Sequence, residues 1–140
     1  MSDILLNCLV LGETPSKIFP MTIARTATVG ALRVAIRTHR LHAFHDIDAE
    51  DLELYATSEE VANLDDDELI QALKIPVEEG GHRKLVTRRP LSEVFMGVPP
   101  STMLHILVQP PSNCEFFVVM HLLLYSFTLL MVFYFSIHHR

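Results

Sequence analysis

Three histidines, His39, His42 and His45, recur at every third position. A metal reading would need their imidazoles to converge with a fourth ligand. They straddle the end of an amphipathic stretch, where histidine also suits the negative pole of a helix, and that reading needs no metal. The run Asp65-Asp66-Asp67-Glu68 offers carboxylates to a divalent cation, yet it lacks the glycine and the alternating spacing of a calcium loop. It fits the first turn of a helix better. Cys8 could act as a nucleophile only if exposed beside a base, and it sits in an apolar strand. There is no phosphate-binding glycine loop, no zinc spacing and no hydrolase elbow. No catalytic, cofactor or metal site is therefore expected, and the chain reads as something other than an enzyme.

Charge says more by its placement than by its sum of −6. Residues 46–79 carry thirteen acids against the single Lys74, which disfavours nucleic acid as a partner. The cations form two groups: Arg25, Arg33, Arg37 and Arg40 before that stretch, and Arg83, Lys84, Arg88 and Arg89 after it. Arg33, Arg37 and Arg40 fall at helical spacing on one face. That face, with the sheet surface, is the expected place for a protein partner.

The elements that position these residues follow from the apolar pattern. Residues 4–11 form a short apolar run, and residues 17–23 alternate loosely around Ile18, Phe19, Met21 and Ile23. The turn-rich Gly12-Glu13-Thr14-Pro15-Ser16 between them predicts a β-hairpin with more than the tightest loop. Pro20 cannot donate to a ladder, which places the second strand at an edge or on a bulge. Thr26 and Thr28 both offer an N-cap to a helix over residues 29–40, whose buried stripe is Val29, Leu32, Ala35 and Ile36. Gly30 weakens its first turn by up to about 1 kcal/mol relative to alanine and permits a neighbouring strand to come close. Residues 52–56 read as a strand. A second helix, capped by Asn63 or Asp65, buries Leu69, Ile70 and Leu73 and stops before Pro76. A brief strand at 85–87, a helical turn at 90–95 and a clear strand at 103–109 complete the pattern. With two cysteines in all, stability must come from packing rather than from a disulfide framework. The acidic start and its short apolar run do not make a conventional secretory signal.

Hairpin, helix, strand, short elements and final strand is the order of the ubiquitin-like β-grasp, an α+β fold in which a mixed sheet packs on one main helix. Ubiquitin's helix resembles Thr28, Val29, Leu32 and Ile36 here. A more specific resemblance lies in an ordered set of blocks: Leu6-Asn7-Cys8-Leu9-Val10-Leu11-Gly12, Phe19-Pro20, residues 28–36, residues 48–54, Leu91-Ser92-Glu93-Val94-Phe95 and residues 105–111. Together they look like the N-terminal domain of the Crinkler effectors of fungi and oomycetes, over about residues 4–111. The resemblance implies a secreted virulence effector whose N-terminal domain is non-catalytic, acts in secretion and entry into host cells, and meets a host or trafficking protein. The oomycete Leu-Phe-Leu-Ala-Lys string is absent, so the fungal branch fits better. Tyr55 stands where similar domains often have Trp, and residues 57–63 lack the usual Ile-Pro step. Gly80-Gly81 is internal, so the diglycine end used in ubiquitin conjugation is not expected.

Two domains of unequal kind are expected: a ubiquitin-like Crinkler domain over residues 1–111 and a hydrophobic tail over residues 112–140. Where the family would continue into an effector domain, residues 116–137 are uncharged and almost wholly apolar. As a helix they are long enough for a bilayer core of about 30 Å. Two readings of the tail stand side by side: a transmembrane helix, or the trailing codons of a truncated or mis-spliced gene model. The first supports an alternative function, a tail-anchored ubiquitin-like adaptor held at the endomembrane system.

Overall fold

Alternation along the first strand decides which side chains meet the main helix. In β1 (Asp3–Val10), Ile4, Leu6, Cys8 and Val10 are buried on one face. β2 (Phe19–Ala24) pairs with it antiparallel, from Cys8 opposite Phe19 to Asp3 opposite Ala24, and adds Phe19 and Met21 to the same face. The computed structural model describes residues 2–111, 128–132, 134 and 136. Contacts divide the chain into two compact units, Met1–Pro110 and Pro111–Arg140.

The predicted helix forms as α1 (Val29–His39), with the Thr28 hydroxyl accepting the Ala31 N–H at 3.2 Å. The Val29 and Gly30 N–H groups, which no helical carbonyl can serve, donate to the carbonyls of Arg89 and Thr87, each at 2.9 Å. A Cβ on Gly30 would stand 3.0 Å from Thr87 Cγ2, so the glycine does permit a close approach, by a loop rather than a strand. A short α2 (Leu41–Phe44) follows and carries Phe44 into the core.

β3 (Glu53–Ala56), β4 (Arg83–Lys84) and β5 (Ile106–Gln109) complete a five-stranded sheet in the order β2-β1-β5-β3-β4. Only β1 and β5 run parallel; the other pairs are antiparallel. A mixed sheet on one main helix is the β-grasp that the sequence implies. β2 is an edge, as Pro20 predicts. Asn7 directs its N–H and carbonyl to His105, on the side away from β2. The Asn7–Pro20 pair therefore exchanges no ladder bond, and the N–H that proline lacks would have pointed out of the sheet.

The main core lies between sheet and α1, where Leu6, Cys8, Leu32, Ile36, Leu54 and Ile106 are fully buried. A second core occupies the opposite face of the sheet. Leu9, Tyr55 and Leu107 are covered there by residues 57–82, which carry α3 (Glu59–Ala62) and α4 (Asp66–Ala72) and contribute Leu69 and Val77. Asp65 caps α4 by accepting the Glu68 N–H at 2.9 Å.

Two strands are displaced from the sequence expectation, and two short helices are additional to it. β4 comes two residues early, because Leu85 gives its N–H to Leu54 at 2.9 Å, buries its side chain and leads into a turn closed by Arg89 N–H on Val86. α3 is additional. β5 starts at Ile106 rather than at 103, since Leu104 bonds the Ala62 carbonyl instead of a strand partner. α5 (Leu91–Val94) forms where a helical turn is expected.

The apolar helix expected over residues 116–137 falls largely outside the described residues. Those described within it, 128–132, 134 and 136, are helical. No helix among the described residues is long and apolar enough to cross a membrane.

Candidate functional site

Arg33 and Arg37 lie on α1 and Arg40 caps its end, and two of the three are turned to internal work. Arg37 donates from Nε to the Ile47 carbonyl at 2.5 Å and from Nη2 to His45 at 3.4 Å, closing the turn that follows α2. Arg40 donates from Nη2 to both carboxylate oxygens of Glu13, at 2.6 and 2.9 Å, and lies 5.3 Å over the Phe19 ring. This ties the β1–β2 loop to the end of α1. Arg33 keeps a buried Nε with no hydrogen-bond partner. The sheet surface, the other expected place for a partner, is covered over Leu9, Tyr55 and Leu107 by α4 and its flanking loops.

The residues that could do chemistry lie apart. Cys8 is fully buried, and burial pushes its thiol up to about 12, so the thiolate is not formed at neutral pH. His39 stacks on Phe19 with ring centroids 5.1 Å apart, while His45 Nε2 faces Asp46 at 3.0 Å. Among the described residues no group of three or more His, Cys, Asp or Glu side chains could hold a metal ion.

Two hydrogen-bonded histidines carry more of the structure than the sequence pattern shows. His105 is the one buried polar or charged residue among the described residues. Its Nδ1 accepts the Asn7 N–H at 2.8 Å, which fixes the tautomer and leaves Nε2–H to donate to the Pro100 carbonyl at 2.8 Å. The Asn7 side-chain amide donates to the carbonyls of Ser101 and Met103, each at 2.8 Å. Asn7 and His105 thus pin residues 100–103 to the sheet. His82 does the same at another seam: its Nδ1 accepts the Ser58 N–H at 3.1 Å. A polar residue in the apolar run 103–108 was the available signal for His105; nothing in the sequence pairs His82 with Ser58.

Burial lowers the pKa of both rings, and for His105 the bond to Pro100 offsets this in part. The unfolded chain, with ordinary histidines near about 6.5, therefore binds protons that the folded chain refuses. The stabilisation is complete above that value and is lost as pH falls from it towards the folded pKa. Urea midpoints are expected to be lower at pH 5.5 than at pH 7.5 and to flatten above pH 7. A midpoint that rises on acidification would contradict the assignment.

A groove of about 460 Å³ runs beside the pinned segment, walled by Phe95, Met96, Val98, Met103 and His105. Met96 and Val98 are 92% and 88% exposed on its rim. A smaller cavity of about 240 Å³ follows β4. Its cations are already answered: Arg83 Nη2 donates to the Val94 carbonyl at 3.1 Å, Lys84 pairs with Glu53 at 3.1 Å, and Arg89 lies 3.9 Å from Glu93. Neither lining gathers a nucleophile, a base and an oxyanion donor around one point.

Residues 4–109 match the family model of the Crinkler effector protein N-terminal domain. Among curated proteins, the chain is similar to Crinkler effector protein 1 of Rhizophagus irregularis, with 31% identity over 111 residues. That alignment takes in 79% of this chain and 22% of the relative, so the chain spans less than a quarter of the relative's length.

Proposed function

Because the chain belongs to the Crinkler effector N-terminal domain family, we propose that residues 4–109 serve as a non-catalytic leading domain that directs a Crinkler-type effector out of the producing cell and into a host cell. The observation that carries this reading is the extent of the family match, which takes in both cores and all five strands of the first unit. A rigid β-grasp with one thiol held protonated in its core suits a module recognised by its surface. The recognising molecule is a host or trafficking protein.

The test is a split luciferase. The small fragment is fused after the full chain in a filamentous fungus, and the large fragment is expressed in the cytosol of a host plant cell. Light in the host cell is expected, together with its loss on replacing Leu32, fully buried in α1, by Asp. Equal signal from a fusion lacking residues 4–109 would remove the proposal.

A further inference from the structure

Residues 57–82 leave the sheet after β3, cover its outer face and return at β4. At the base of this excursion the Ser58 N–H is held by His82 Nδ1, joining its two ends. Its first residues and α3 are tied to the segment before β5, through Thr57 N–H on the His105 carbonyl at 3.0 Å and Leu104 N–H on the Ala62 carbonyl at 3.2 Å. That segment is itself pinned by the His105 ring between Asn7 and Pro100.

Both rings act as acceptors at Nδ1, a role open only to neutral imidazole. A proton there sets a donor against a donor. The charges beside the rings are of both signs. Glu59 and Arg83 share the groove with His105, and Arg83 follows His82 directly in the chain. Neither ring forms an ion pair with a carboxylate among the described residues. The α1 core differs in kind. It is apolar throughout apart from the Cys8 thiol, which stays protonated across this range.

We infer that His82 and His105 are paired acid-sensitive clasps: mild acid releases the 57–82 cover and bares the apolar sheet face around Leu9, Tyr55 and Leu107, while the α1 side stays folded. Each ring that binds its proton only in the open form steepens opening by up to about tenfold per pH unit, and the pair by up to about a hundredfold. The device belongs to the domain itself and stands whether or not that domain carries an effector into a host.

Hydrogen exchange of the full-length chain in mild detergent at pH 7.5 and pH 5.0, corrected for intrinsic rates, tests it. Amides of residues 57–82 and 96–104 are expected to exchange at least about tenfold faster at pH 5.0, with α1 and β2 protection unchanged. The variant carrying His82→Asn and His105→Asn keeps an acceptor oxygen near each Nδ1 position but cannot take up a proton. Its cover should exchange alike at both pH values. Should the double variant fold poorly, His82→Asn alone is expected to halve the logarithmic response. In the wild type, the nuclear magnetic resonance titration midpoints of both rings should coincide with opening. Three results overturn the inference: α1 losing protection in step with the cover, cover exchange unaffected by pH, or asparagine variants that respond as the wild type does.

Discussion

Truncating Leu107 to alanine is expected to lower the unfolding free energy by about 2–5 kcal/mol, the range for emptying a buried leucine site. Leu107 lies at the centre of the sheet, opposite Leu9 on one neighbour and Tyr55 on the other, and is fully buried under the cover. Leu5 supplies the internal control, because it projects from the same sheet face but is 39% exposed. Leu5→Ala should cost less than about 1 kcal/mol, since little apolar surface returns to water. Urea denaturation of the two variants decides the matter. Equal small losses would mean that the outer face is open, and the second core would have to be abandoned.

The second large effect is expected at Asn7. Its amide donates to two carbonyls at 2.8 Å, so Asn7→Ala removes two neutral hydrogen bonds, a loss of about 1–3 kcal/mol. Asn7→Asp is nearly isosteric, yet at pH 7.5 it turns a donor into an anion facing the oxygens of Ser101 and Met103. It should be the worse of the two, at about 2–4 kcal/mol. Because the Asn7 N–H to His105 bond is main-chain on the Asn7 side, both variants keep it. An Asn7→Asp variant as stable as wild type would show that these two bonds do not hold residues 101–103 to the sheet.

Much of the main core was legible because local signals agreed. Thr28 as cap, the stripe of Val29, Leu32 and Ile36, and the turn-rich loop before Phe19 each point to one element, and all three form. The second core was not read, although the signal was present. Cys8-Leu9-Val10 in β1 and Ile106-Leu107-Val108 in β5 are apolar on both faces, the pattern of a strand buried on two sides. Of the second core's cover, the helix that buries Leu69 was legible as α4, but the face it packs on was not, and α3 is a single turn with one buried residue that gives no periodicity. The arginines show a different limit: helical spacing puts Arg33, Arg37 and Arg40 on one side of a continuous helix, but α1 ends at His39, and Glu13 and the carbonyls of His45 and Ile47 reach two of the three through tertiary contacts. The clasps at His82 and His105 depend on main-chain donors 24 and 98 residues away, beyond any local pattern.

The parallel pairing of β1 and β5 has a mechanical side. Opposite pulls on the start of β1 and the end of β5 run along the strands, so the bonds of Cys8, Leu9 and Val10 against Ile106, Leu107 and Val108 are loaded together in shear. An antiparallel pair loaded at adjoining ends would instead unzip one rung at a time. Traction applied through the two ends of the domain therefore meets its stiffest seam at the centre of the sheet. A pore that threads an extended chain must break that seam before the helix can follow, whereas a carrier that moves the folded domain leaves it unstressed.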